Sequence, residues 1–551
     1  MGRGRNANAL PVPAWSETLA RTQALYAGTG RSRGEPQAAK PSGSRREGEE
    51  PKPPMSNPEK SDPVTVATKP TNKTGRPAAE PVERRTGAEE NTNRQSTHRV
   101  QNRESVSQAL DRVRQVAKQR KDERFTSLLH HVDVQHLTEA YYAIKHKAAP
   151  GVDGVTWKEY GEHDLELKLA DLHARIHRGA YRALPARRQF IPKADGTQRP
   201  LAIAALEDKI VQRAVANVLE AIYEQDFLGF SYGFRPKRGA HDAMDALIVG
   251  IEQRKVNWIL DLDIRSFFDS VSHEWLIKFV EHRIADKRIV RLIRKWLKAG
   301  VLEDGEVVTS ETGTGQGAVI SPLLANVYLH YAIDLWAEQW RRREAKGDMI
   351  IVRYADDMVL GFEHEAEAKR FWDAMRERLE KFALSLHPDK TRLIEFGRSA
   401  AASRKKKGLG KPETFNFLGF TFISGKSRMG KFAIKRKTRK DRMRAKLGKI
   451  KEVLRRNMHL PIAVIGKWLG QVVRGYFNHH AVPTNAEALN VFRCHIVRLF
   501  LRTLRRRSQK DAMTWERIRK IADEFLPKPK ITHPWPNQRF AVRHPRWEPC
   551  A

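Results

Sequence analysis

The stretch Ile351-Val352-Arg353-Tyr354-Ala355-Asp356-Asp357-Met358-Val359-Leu360 limits what this chain can fold into more than any other. Two adjacent carboxylates stand between two apolar runs rich in β-branched residues. The pattern reads as strand, tight turn, strand, with Asp356 and Asp357 at the hairpin tip. Core strands normally exclude charge, and ionised neighbours repel. The pair is therefore either a solvated surface turn, where Asp is common, or a site that a divalent cation neutralises. The rest of the chain has to decide between them.

At 551 residues the chain is long enough for two or three domains, and its formal charge of +36 calls for a polyanionic partner. Nucleic acid is the simplest one; a membrane surface competes. No run of 18 or more apolar residues occurs, and Met1-Gly2-Arg3-Gly4-Arg5 lacks the hydrophobic core of a signal peptide, so a soluble intracellular protein is expected. Cys494 and Cys550 make neither a disulfide framework nor a Cys-rich zinc site.

Residues 1–104 are rich in Pro, Gly, Ser, Arg and Glu with little hydrophobic periodicity, which predicts a disordered leader. Helical spacing begins at Ser105, and residues 105–147 read as a helical extension. In the segment from Arg187 to Ile203, Asp195-Gly196 marks a hairpin. Lys193 and Arg199 flank its turn, either as two cations for one anionic ligand or as a solvated pair on an edge. Leu206 to Tyr223 reads as a helix. Ser231 to Gly239, with Arg235 and Lys237, is an aromatic-and-basic loop of the kind that stacks on bases and pairs with phosphates.

Trp258 to Asp269 is another strand-like run that carries acids. Asp261 and Asp263 share a face, whereas Asp269 falls where a helix starts. Gly313 to Asn326 is a Gly-rich turn leading into a long helix. Beyond Phe422 the chain is strongly basic and reads as helical through Lys435 to Lys446, either as a solvated face or as a surface for a polyanion.

Taken together, the Asp263 strand, the Gly-rich turn and the Tyr354 to Asp357 hairpin occur in the order and spacing of a polymerase palm. The chain resembles the group II intron-encoded reverse transcriptase/maturase family from about Lys147 to Val482. The match rests on Ile191-Pro192-Lys193, Arg199-Pro200-Leu201, Ser231 to Pro236, Gly317 to Asn326, Tyr354 to Asp357, Asn416 to Phe420 and Gly475 to His480. The resemblance implies an α+β right-hand polymerase, with a fingers-palm at 148–424 containing an antiparallel palm sheet. A helical thumb or maturase domain at 425–508 and a short basic DNA-binding-like tail at 509–551 would follow.

It also implies an RNA-directed DNA polymerase that copies intron RNA and assists splicing. Two magnesium ions would be held by Asp263, Asp356, Asp357 and the carbonyl of Ile264, with Asp261 as the alternative one pleat away. Lys193, Arg199, Phe268, Gln316 and Lys390 would bind the nucleotide, Phe268 as the gate against a ribose 2′-hydroxyl. Phe417, Leu418 and Gly419 would form the primer grip, and Arg235, Lys237, Arg439, Arg442 and Arg444 would contact RNA. Gly315 departs from the family, which usually has proline there. The implied partners are intron RNA, an RNA template with a DNA primer, target DNA and deoxynucleoside triphosphates, with no membrane, in a bacterial cytoplasm associated with nucleoid or RNA. Many relatives end in an HNH nuclease built on two Cys pairs; without any Cys-x-x-Cys, none is expected here.

Overall fold

A computed structural model describes residues 94–192, 198–507 and 513–543. The expected leader lies outside these residues up to position 93. The first described helix, Arg94–Gln119, starts within it, ahead of the expected onset at Ser105.

Among the described residues, eleven strands form three sheets. β1 (Ala186–Pro192) and β2 (Gln198–Ile203) make the hairpin announced by Asp195-Gly196, Arg199 lying opposite Ile191. With β4 (Val301–Glu303), parallel to β1, and β5 (Glu306–Val308), they form a sheet of order β2-β1-β4-β5. The central sheet, β6-β7-β3-β8, is antiparallel throughout; β3 is Trp258–Asp263, β6 Met349–Tyr354, β7 Asp357–Phe362 and β8 Arg392–Glu395. The third sheet joins β9 (Thr414–Phe417), β10 (Phe420–Lys426) and β11 (Phe432–Thr438).

The period of two along strands explains how the central sheet serves two purposes. Leu260, Leu262, Met358 and Leu360 pack on one face into the largest core, against helices that include Leu206–Tyr223 and Ser321–Leu329. The opposite face carries Ile259, Val352, Val359 and Ile394 at one end, packed against the helix Ala240–Gln253 and the third sheet. Its other end carries Asp261, Asp263 and Asp357. One face is thus apolar core for half its length and acidic for the rest.

The boundary expected at 424/425 falls inside β10, and Phe432–Thr438, read from its basic residues as helical, is a strand. Alternation explains it: Ile434, Arg436 and Thr438 point inward, and Arg436, 1% exposed, pairs with equally buried Asp245 at 2.8 Å. The helical bundle therefore begins at Lys440, with helices Lys440–Arg456, Ile462–His480, Ala486–Arg505 and Trp515–Phe525 around their own core. Gly466 and Gly470, one turn apart, let Phe525 lie directly on the second of these helices; a Cβ at either would come within 2.5 Å of it.

The last helix, Pro536–Arg543, returns to the helix Ala240–Gln253. Arg539, in the stretch expected to touch DNA, lies 3.0 Å from the Asp245 carboxylate, and the His241 ring sits 4.1 Å from that of His533 and 5.0 Å from that of His479. Among the described residues, no helix is long and apolar enough to cross a membrane.

Candidate active site

The acids meet because of strand register. In the β3–β7 ladder Asp263 lies directly opposite Asp357, and in the β6–β7 hairpin Tyr354 lies opposite Asp357, leaving Ala355 and Asp356 as the turn. Ala355 takes a positive φ of 57°. Behind the end of β3, the amide of His387 donates to the Asp263 carbonyl at 2.8 Å and that of Arg265 to Ser385 at 2.9 Å, fixing buried Ile264 between them.

Burial first, then the neighbouring carboxylates Asp356 and Asp263, push the Asp357 acid up to about 6, although Asp357 stands open to the cleft. Asp356 is raised by burial and by Asp263. Asp261, on the same face and 3.8 Å from Arg392, is pushed to about 7 by burial, with Asp357 and Asp263 adding to it. Charge this crowded needs cations, and three elements bring them. Lys390 places its ammonium 2.9 Å from Asp263 Oδ2, Arg199 of β2 lies within electrostatic reach of Asp356, and Arg439, just ahead of the bundle, and Arg442 in its first helix lie within reach of Asp357. As the side chains stand, no three His, Cys, Asp or Glu among the described residues close on one ion. The donor set nevertheless suits a hard divalent cation: all oxygen, mutually repelling, and already drawing an ammonium onto Asp263.

The remaining expected residues divide. Lys193 lies outside the described residues. Phe268 is half-buried, and its carbonyl accepts from Thr314 N at 2.7 Å; Gln316 accepts from Ala202 N at 2.8 Å. The Gly-rich turn is thereby tied to the site on one side and to β2 on the other. Leu418 and Gly419, with φ of 48° and 89°, form the two-residue turn between β9 and β10, whereas the Phe417 ring is buried in the core. Lys237, Arg442 and Arg444 are exposed, and Arg439 pairs with Asp441 at 2.7 Å.

Arg235 is a correction. Instead of meeting RNA, its guanidinium is buried on Glu224 at 2.9 Å and donates to the carbonyls of Leu228 and Ser231 at 2.8 Å each. The loop holding it backs the acidic turn. Gly233 approaches so closely that a Cβ would lie 2.3 Å from the Ala355 amide nitrogen.

The group that sequence reasoning missed lies beneath that turn. Arg353, wholly buried on the opposite face of β6, pairs with wholly buried Asp334 at 2.5 Å. It also donates to Ser231 Oγ at 2.7 Å, to Asn326 Oδ1 at 3.1 Å and to the Ala355 carbonyl at 3.0 Å. Asn326 in turn donates to the Gly233 carbonyl at 2.8 Å. Asp334 ends a π-helical turn, His330–Asp334, inserted in the long helix; such wide turns recur at functional sites. The available signal was an arginine at a position where strand alternation demands an inward side chain.

A family model described as reverse transcriptase (RNA-dependent DNA polymerase) matches residues 191–422. Protein YkfC of Escherichia coli (strain K12) is 35% identical over 320 residues, covering 52% of this chain and 78% of YkfC. The group II intron-encoded protein LtrA of Lactococcus lactis subsp. cremoris is 34% identical over 226 residues, 40% of this chain and 37% of LtrA. The putative COX1/OXI3 intron 1 protein of Saccharomyces cerevisiae is 30% identical over 226 residues, 40% of this chain and 26% of that protein. Set beside the facing acids of β3 and β7, these likenesses show that the chain belongs to the group II intron reverse transcriptase/maturase family.

Proposed function

We propose that the chain is an RNA-directed DNA polymerase that copies intron RNA into DNA and also binds that RNA to assist splicing. The observation that carries the reading is the placement of Asp263 opposite Asp357, beside Asp356, with Lys390 paired to Asp263 and further cations within electrostatic reach. On this reading the central sheet is the palm, the β1–β2 hairpin belongs to the fingers and the bundle from Lys440 is the thumb.

Asp263, Asp356 and Asp357, with the Ile264 carbonyl, would hold two magnesium ions, which when bound neutralise the triphosphate and favour ionisation of the primer hydroxyl. Arg199, with Lys193, grips the triphosphate from the fingers side. Lys390, already on Asp263, stands ready to meet phosphate oxygens. Phe268 and Gln316, on the two sides of the Gly-rich turn, bound the space for the sugar and the templating base. Leu418 and Gly419 present a backbone turn to the primer, and Lys237, Arg442 and Arg444 offer charge to RNA and to the template–primer duplex. With 37% of LtrA covered, the splicing role and any contact with target DNA rest on this reading alone.

The test is extension of a DNA primer on an RNA template, with intron RNA binding measured in parallel. Wild type extends; Asp356→Ala does not, and binds RNA as before. Failure of the wild type to extend, with RNA binding kept, would leave an RNA-binding splicing factor with a vestigial polymerase site.

A further inference from the structure

The stretch 268–273 runs antiparallel to the stretch 311–314, at the head of the Gly-rich turn, and the two are stitched together by their backbones. Thr314 N donates to the Phe268 carbonyl at 2.7 Å, Gly313 N to the Val271 carbonyl at 2.7 Å, and His273 N to the Glu311 carbonyl at 3.3 Å. Ser272 and Thr312 form a bridge among them. One side chain joins this ladder: half-buried His273 places Nε2 2.6 Å from the Gly313 carbonyl. A carbonyl oxygen only accepts, so Nε2 carries the proton and donates it.

The peptide unit between Gly313 and Thr314 is therefore held at both ends, its oxygen by His273 and its N–H by Phe268. It is also the unit most readily turned over. Gly313, at a φ of 91° and without a Cβ, opposes neither the present orientation nor the inverted one. The buried Thr314 hydroxyl finds no partner and adds no hold. Nor does the helix His273–Arg283 call for histidine at its first position, because Ser272 already caps it by accepting from Trp275 N at 3.4 Å. Inverting the unit would take the donor away from the Phe268 carbonyl, while Gln316, two residues beyond Thr314, stayed tied to Ala202 of β2. Phe268 and Gln316 would then no longer keep a fixed separation.

We propose that His273 is a positioning residue that fixes the gap between Phe268 and Gln316, and with it the discrimination between deoxyribose and ribose. The inference rests on the reading of the chain as a polymerase with Phe268 at the edge of the sugar, and identifies what holds that ring in register with the Gly-rich turn. His273 itself touches neither nucleotide nor metal. It acts through the Gly313 carbonyl and the Thr314 amide on the backbone of Phe268.

The test is addition of one nucleotide by the full-length protein to a preformed RNA template with DNA primer, using a deoxynucleoside triphosphate or the matching ribonucleoside triphosphate. The ratio of the two kcat/KM values is read. In His273→Leu, which fills the space and donates nothing, the ratio should fall by about three- to tenfold, the range covered by one lost hydrogen bond. His273→Gln, whose amide nitrogen reaches the place of Nε2, should restore it. His273→Asn, polar but too short to reach, should behave as His273→Leu and replaces it if the leucine variant does not fold. In a Phe268→Ala background His273→Leu should change the ratio by about twofold or less, because its effect passes through the missing ring. An equal loss on both nucleotides, a loss that His273→Gln leaves unrestored, or the full drop repeated without the Phe268 ring overturns the role of His273. A wild type that adds neither nucleotide sinks the polymerase reading and this role with it; a wild type that adds deoxynucleotides, beside variants with an unchanged ratio, sinks this role alone.

Discussion

Replacing Arg353 with methionine removes the guanidinium that joins the acidic turn to the long helix while keeping much of the side chain's length. Asp334 is then left wholly buried without its partner, and Ser231, Asn326 and the Ala355 carbonyl each lose a donor. Breaking a buried ion pair on one side costs about 3–5 kcal/mol. Unfolding entropy of about 2.1 cal/mol/K per residue over roughly 440 described residues gives about 0.9 kcal/mol/K, so Tm should fall by about 3–6 °C, and by more if a smaller unit melts. Arg353→Met/Asp334→Val removes the orphaned charge and should recover part of that loss, since two apolar side chains can replace a buried pair. It should not recover activity, because Ala355 still lacks its donor and a turn misplaced by about 1 Å costs about 100-fold in rate. Thermal melts and primer-extension kcat on the three proteins read the two effects apart. A double variant as unstable as the single one, or extension at the wild-type rate in either, would refute the account of Arg353 as the tie beneath the turn.

Gly233→Ala places a Cβ 2.3 Å from the Ala355 amide nitrogen, so extension should fall by about 100-fold with intron RNA binding unchanged, measured on the same preparation. Arg539→Ala should release the last helix from Asp245, read as faster proteolytic cleavage after residue 513, while Arg436 keeps Asp245 paired. His241 is held down to about 3 by burial, with His533, His479, Arg539 and Arg436 adding to it. Its folded pKa lies below the ordinary 6.5, so its contribution to stability is complete above that pH and is lost as pH falls from there toward 3. Tm should therefore drop between about pH 6.5 and 5, less steeply in His241→Gln.

The acids, the hairpins and the helix Leu206–Tyr223 were legible because each is announced by local pattern: alternation, Asp-Gly, or one apolar stripe. Arg235 and Arg436 were not, because nothing local distinguishes an arginine that meets phosphate from one that meets Glu224 or Asp245, at positions 11 and 191 residues away. Arg436 carried β11 with it, since lysines and arginines with long apolar stems alternate in a strand while their charge reads as a solvated helix face. Arg353 was hidden for a different reason: its partner, Asp334, points inward only because of the π turn, which no three- or four-residue spacing reveals.

That extra residue in the helix sets a phase. Every side chain from Leu335 to Arg343 is rotated relative to Ser321–Leu329 by the wide turn, and Trp340 and Ala337 reach the core only with that offset. Deleting one residue between His330 and Asp334 would relax the coil to ordinary pitch. It would also swing Asp334 off Arg353 and turn the far half of the helix to present arginines where tryptophan now packs. A stretch whose geometry looks like a local irregularity is thus the gear that keeps a long rod and a two-residue acidic turn in step.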